Sequence, residues 1–236
     1  MKKVKFIFIP VLIILIAVGL LFVVFTVKDI EVSGSDIYTK EEIQSYVIED
    51  AYDCHTLYFW LKSRFSKQVD IPFIERYDVA LTSLNTVRIS LEPKDISGCL
   101  KYMGSYIYFD KKGVVQETSE ELLEGVPFIT GLDLKYIVVD KKLPIEENRT
   151  LDLLVNTAVL TGYYGVKAEE IHLVPPDEVL IRIGNVRVEL GTKKNLEEKI
   201  SDLSDFYAQL DGLSGTLDMR KYNESKTGYT FRKETE

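Results

Sequence analysis

The sequence predicts an α+β protein: a single N-terminal transmembrane helix, then a β-α-α-β-β domain, then a mainly antiparallel β-domain with two helices. Three observations lead there. Phe6 to Val27 carries no charged side chain. From Lys28 to about Asp95 the apolar pattern switches from alternation to helical spacing and back to alternation. From Ile96 onward, short apolar runs are punctuated by turn residues. The expected boundaries are a tail over 1–5, a membrane helix over 6–27, a first domain over 28–95, a second over 96–232 and a tail over 233–236.

As a helix, the uncharged stretch reaches roughly 33 Å, enough for a hydrocarbon core of about 30 Å. Lys2, Lys3 and Lys5 precede it and no acid appears before Asp29, so the charge bias predicts a cytoplasmic N-terminus and a single-pass type II membrane protein. A cleaved signal peptide would be shorter and end in a small-x-small site, whereas the exit here, Phe22-Val-Val-Phe-Thr-Val-Lys28, is bulky throughout. The chain holds 29 Lys+Arg against 37 Asp+Glu. Setting aside the three leading lysines leaves 26 against 37, a net charge of −11 beyond the span. Such a surface excludes nucleic acid as a partner on electrostatic grounds and disfavours adsorption to anionic lipid.

Val27-Lys-Asp-Ile-Glu-Val32 alternates and stops at Ser33-Gly34, a first strand. Thr39 followed by Glu42 is a capping box, with Tyr38 and Ile43 as its hydrophobic staple, and opens a helix that turns Ile43, Tyr46, Val47 and Ala51 inward. A second helix is expected from Thr56 to Val69, with Leu57, Trp60, Leu61 and Phe65 inward and Lys62, Arg64 and Lys67 outward; Ile71-Pro72 stops it. Tyr77, Val79 and Leu81, then Val87, Ile89 and Leu91, mark two further strands. In the second domain, Cys99 to Met103, Tyr106 to Phe109 and Val114-Val115 read as a meander. Glu146 to Gly162 reads as a helix on Leu151, Leu154, Val155 and Ala158. Ile171 to Val174 is a strand, Glu178 to Leu190 a hairpin about Gly184-Asn185, and Asn195 to Leu210 the last helix. Gly215 to Met219 and Lys226 to Arg232 are the closing strands, the second with Tyr229 and Phe231 on one face.

The inventory for catalysis is thin. His55 and His172 fall in different expected domains, and neither has a second ligand at helical spacing. No nucleophile elbow, phosphate loop or dinucleotide fingerprint occurs, so no catalytic residue, metal or cofactor is assigned. Paired carboxylates of a membrane-anchored cell-wall hydrolase are the alternative, and that reading requires a concave cleft holding an acid of raised pKa. Cys54 and Cys99 are either one disulfide or two small buried residues. The 14 tyrosines suit a binding surface or simply complete strand faces.

Several fragments, in order, resemble the FtsQ/DivIB family of bacterial cell-division proteins. They are Ile30-Glu-Val-Ser-Gly34, Tyr38-Thr-Lys-Glu-Glu-Ile43, Asn85-Thr-Val-Arg-Ile-Ser-Leu-Glu92 with Pro93-Lys-Asp-Ile96, Tyr108-Phe-Asp-Lys-Lys-Gly-Val-Val115, Val126-Pro-Phe-Ile-Thr-Gly131, Gly184-Asn-Val-Arg-Val-Glu-Leu-Gly191 and Gly215-Thr-Leu-Asp-Met-Arg220. Ser83-Leu84 stands where that family usually has a proline. The resemblance implies a membrane anchor, a POTRA domain and a β-domain. It also implies a non-enzymatic scaffold, concentrated at the division septum, that binds FtsL-like and FtsB/DivIC-like bitopic proteins and influences septal peptidoglycan synthesis. By the same resemblance, partners meet the edge that follows Asp218-Met219-Arg220, and Arg220, Tyr222, Tyr229 and Phe231 are the expected partner-binding residues.

Overall fold

The computed structural model describes residues 2–145, 148–222 and 229–234, and of these the side chains of 2–10, 21, 22 and 148 stay outside the description. The chain divides into two compact units, Met1–Lys94 and Asp95–Glu236. Each has its own hydrophobic core.

The first unit opens with helix α1 (Lys2–Val24). It stops there because Phe25 to Val27 are recruited into the domain: Thr26 bridges His55, the Val27 amide donates to the Cys54 carbonyl at 2.7 Å, and the Thr56 amide donates to the Phe25 carbonyl at 2.8 Å. Among the described residues no helix is long and apolar enough to cross a membrane. This overturns the expected transmembrane helix over 6–27, and with it the single-pass type II localisation at the cell membrane and septum.

After α1 come β1 (Asp29–Ser33), α2 (Lys40–Val47), a 3-10 turn over Ala51–Cys54, α3 (Thr56–Phe65), β2 (Ile74–Leu81) and β3 (Thr86–Pro93). The sheet order is β1-β3-β2, with β1 parallel and β2 antiparallel to the central β3. At the start of α2 the capping box is present, with Thr39 Oγ1 accepting from the Glu42 amide and Glu42 Oε2 accepting from the Thr39 amide. The turn at Ser83-Leu84 closes without proline: the Thr82 amide donates to the Thr86 carbonyl and the Ser83 hydroxyl donates to Asn85 Oδ1.

Helix α3 departs from its expected orientation. Thr56 and Phe59 are its buried residues, whereas Leu57, Leu61 and Phe65 are exposed. The cause is Asp53, buried in the preceding turn, whose Oδ2 accepts from the amides of Glu49 and Asp50 at 2.9 Å each. A buried carboxylate requires a cation, and Lys62 supplies it, its Nζ 3.0 Å from Asp53 Oδ2 and 3.1 Å from Glu49. Burial pulls the Lys62 pKa down, but the bonds to Asp53 and Glu49 outweigh it and hold that pKa above the ordinary value. With Lys62 turned toward Asp53, the side of the helix carrying Leu57, Leu61 and Phe65 faces out. The helix also ends at Phe65, four residues before the expected stop.

The second unit contains β4 (Gly98–Tyr102), β5 (Ser105–Phe109), β6 (Val115–Ser119), β7 (Phe128–Thr130), α4 (Asn148–Tyr163), β8 (Glu170–Val174), β9 (Glu178–Ile183), β10 (Val186–Gly191), α5 (Leu196–Phe206), a 3-10 turn over Tyr207–Leu210, β11 (Gly215–Asp218) and β12 (Thr230–Lys233). Residues 146–147 and 226–228, at the expected starts of the helix and of the last strand, lie outside the described residues. The described strands form one mixed sheet in the order β12-β11-β10-β9-β8-β7-β4-β5-β6. The expected meander is its β4-β5-β6 end, while β7 pairs in parallel with both β4 and β8, and β11 with β10. Strand registers align Ile107, Leu100, Ile129, Ile171, Ile181, Val188, Leu217 and Phe231 in one row. Leu151, Leu154 and Ala158 of α4 and Leu196, Ile200 and Leu203 of α5 belong to the same hydrophobic cluster. The alternate residues, Glu170, Arg182, Arg187, Glu189 and Asp218, give the opposite face its polar character.

Candidate partner-binding edge

Strand β12 is the outermost strand at one end of the nine-stranded sheet. It pairs antiparallel with β11 through Gly215↔Lys233, Thr216↔Arg232, Leu217↔Phe231 and Asp218↔Thr230. The Glu234 amide donates to the Ser214 carbonyl at 3.1 Å. By the alternation of an antiparallel ladder, Arg232 and Thr230 also turn their backbone groups toward β11, and Phe231 and Lys233 turn theirs outward. Among the described residues nothing pairs with these outward main-chain donors and acceptors, and another extended segment can add there.

The four expected binding residues have distinct settings. Phe231 is half-buried and ends the apolar row, opposite Leu217. Tyr229 is half-buried beside it, its ring 6.2 Å from that of Phe206 and its hydroxyl donating to Asp202 Oδ2 at 2.6 Å. Burial and the adjacent Asp202 carboxylate both push the Tyr229 pKa up. Tyr222 is half-buried.

Arg220 is engaged within its own fold. Asp218 Oδ1 accepts from the Arg220 amide at 3.1 Å and from its Nε at 3.0 Å, and Asp218 Oδ2 accepts from Nη2 at 2.6 Å. This fork holds the Asp218 pKa down at about 2. The backbone makes room for the arginine through Gly191, where β10 bulges and φ is +73°: a Cβ there would lie 3.1 Å from Arg220 Cγ. Glu189 sits beneath, its Oε2 buried and 3.3 Å from Arg220 Nη2, with Arg187 and Arg232 at 3.8 and 3.9 Å from the same carboxylate.

Sequence reasoning missed Asp202, Glu189 and Lys199 at this end of the sheet. Lys199 of α5 is 1% exposed, and its Nζ donates to the Leu190 carbonyl at 2.7 Å, next to the bulge. Burial depresses its pKa. Lys199 falls within the apolar period of α5, one residue before Ile200, which was the only signal available.

Elsewhere, the second unit has an open cleft of about 1400 Å³, lined by Lys111, Pro127, Val159, Glu169, Asn185 and Leu213 among others. Two acids on its wall are ion-paired, Asp95 with Lys111 at 3.0 Å and Glu169 with Arg182 at 2.7 Å. Among the described residues, Asp29, Glu42, Glu170 and Asp218 have carboxyl pKa values held below the ordinary range by their hydrogen-bond and ion-pair partners. Among the described residues no group of three or more His, Cys, Asp and Glu can hold a metal ion. Cys54 and Cys99 are free, and burial pushes the Cys99 thiol up to about 12. Neither a scan against protein-family models nor a search of curated proteins gives a match for this chain.

Proposed function

We propose that the chain is a non-enzymatic scaffold of the bacterial division machinery, of the FtsQ/DivIB kind. In this reading it holds FtsL-like and FtsB/DivIC-like bitopic proteins and so helps to control septal cell-wall synthesis. The observation that supports it is the outer edge of β12, where the outward main-chain groups of Phe231 and Lys233 stand beside the half-buried rings of Tyr229 and Phe231. A partner strand added there takes its affinity from backbone bonds and its specificity from side chains set against those rings. Arg232, exposed and 3.9 Å from Glu189, is the cation a partner carboxylate reaches on the polar face.

The test is a titration of the full chain with the soluble domains of such partners, repeated with Lys233→Pro. Proline at 233 removes an outward N–H without touching a bond to β11, so the fold stays intact. The loss of one net hydrogen bond, plus the obstructing ring, weakens binding by at least about fivefold. Absence of binding to the wild-type chain would reject the scaffold reading. Undiminished binding by Lys233→Pro would reject the edge as its site.

A further inference from the structure

The exposed side of α3 has a character that neither its own fold nor the edge at β12 accounts for. Leu57, Leu61 and Phe65 stand four residues apart along it, Phe65 being 83% exposed, and exposed Tyr58 lies beside them. From the preceding turn Tyr52, 67% exposed, packs on Tyr58 with ring centroids 6.0 Å apart. On the same side, three residues beyond Leu61, Arg64 holds its guanidinium 5.6 Å over the Trp60 ring.

Charge is distributed unevenly here. The chain has a net charge of −8, yet Cys54 to Val69 contains no Asp or Glu. Lys62 is committed to Asp53, whereas Arg64 and Lys67 are exposed and make no ion pair among the described residues. An apolar stripe with aromatic shoulders and unpaired cations is the composition of a helix lying in the plane of a lipid–water interface. The face is the outer side of one helix and therefore convex. A fluid surface conforms to such a ridge, whereas a rigid protein partner needs a matching groove. At its N-terminal end, α3 meets the exit of α1 through the bonds from the Thr56 amide and hydroxyl to the Phe25 carbonyl, so the exposed apolar side chains of α1, Leu20 and Val23 among them, lead up to the same corner.

We propose that the face of α3 carrying Tyr52, Leu57, Tyr58, Leu61, Arg64 and Phe65 rests on an anionic lipid surface. This is an in-plane contact that requires no spanning helix, and it does not depend on the edge at β12. The overall acidity of the chain opposes adsorption of other faces, whereas here Cys54 to Val69 is free of acids and the carboxylates of Glu49 and Asp50, next to Tyr52, are paired with Lys62, which favours this side within a Debye length of about 8 Å.

Trp60 is the single tryptophan of the chain and lies on α3 itself, so its fluorescence reports this contact. The full chain is mixed with vesicles of roughly three parts phosphatidylcholine to one part phosphatidylglycerol, prepared with and without brominated acyl chains. The expected result is a blue-shifted Trp60 emission quenched by bromine, with about tenfold more lipid needed when phosphatidylglycerol is omitted. The double variant Leu61→Glu, Phe65→Glu changes only exposed positions; it is expected to keep its circular dichroism spectrum but to lose the quenching. Unquenched Trp60 in the wild-type chain would overturn the proposal. So would equal quenching in the double variant, or photocrosslinks from positions 61 and 65 that reach only a protein helix.

Discussion

Asp218 shows how far one neighbour sets the behaviour of a side chain. Its folded pKa, about 2, lies below the ordinary 3.8 because Arg220 binds the carboxylate as a fork. For a depressed carboxyl, the stabilising contribution is complete above the unfolded pKa and is lost as pH falls toward the folded one. Acid unfolding followed by circular dichroism should therefore be steeper in the wild-type chain than in Asp218→Asn between about pH 4 and pH 2. Lys199 has the opposite sense: burial lowers its pKa, so the wild-type chain bears a cost at neutral pH that fades as pH rises toward the unfolded value. Relative to Lys199→Met, the wild-type thermal midpoint should gain between pH 7 and pH 10, whichever is more stable at the start. At this scale the sequence was only partly legible. Asp218-Met219-Arg220 is visible as a motif, but that Arg220 folds back on Asp218 depends on the turn after β11. The contact of Tyr229 with Asp202 joins residues 27 positions apart, which no local pattern encodes.

Elements whose determinants are local were readable in full. Thr39 and Glu42 form the capping box that their spacing predicts, and Thr39→Ala should cost about 1 kcal/mol in urea unfolding of the first unit. Helix α3 was legible in existence but not in orientation. Apolar residues occur nearly all round it, so periodicity could not choose a face; the choice fell to buried Asp53 and Lys62. Strand β12 has its own requirement. A side chain on Gly215 would collide with the Arg232 carbonyl, so Gly215→Ala should displace β12 and raise amide exchange at Thr230 and Arg232 while β9 and β10 keep their protection. Phe231→Asp disturbs the same strand by a different route, since Phe231 packs on the core, which is why Lys233→Pro is the cleaner probe of the edge.

At the scale of the molecule, the two hydrophobic clusters share no residue, and each surrounds its own sheet. Ile89 and Ile181, both fully buried, serve as matched probes: either change to Ala removes similar buried volume and should cost 2–5 kcal/mol. Hydrogen exchange should then show the loss of protection concentrated in the unit that carries the change. The parallel pairings of β7 and β11 escaped the sequence reading, because alternation reports which face a residue occupies and not which strand lies next to it. Apolar length was similarly insufficient at the N-terminus: the uncharged run reaches Val27, but α1 yields Phe25 to Val27 to the domain that follows.

The place of β12, last among the described strands and outermost in their sheet, also bears on how the protein is made. On the ribosome, β11 emerges before the strand that covers it, and at about 5–20 residues per second the interval is of order one second. During that time Leu217 faces no Phe231, and the edge of β11 stands open to any extended chain nearby. Stalling between Asp218 and Thr230 would lengthen this interval, making that stretch of synthesis the one most exposed to premature or mistaken pairing.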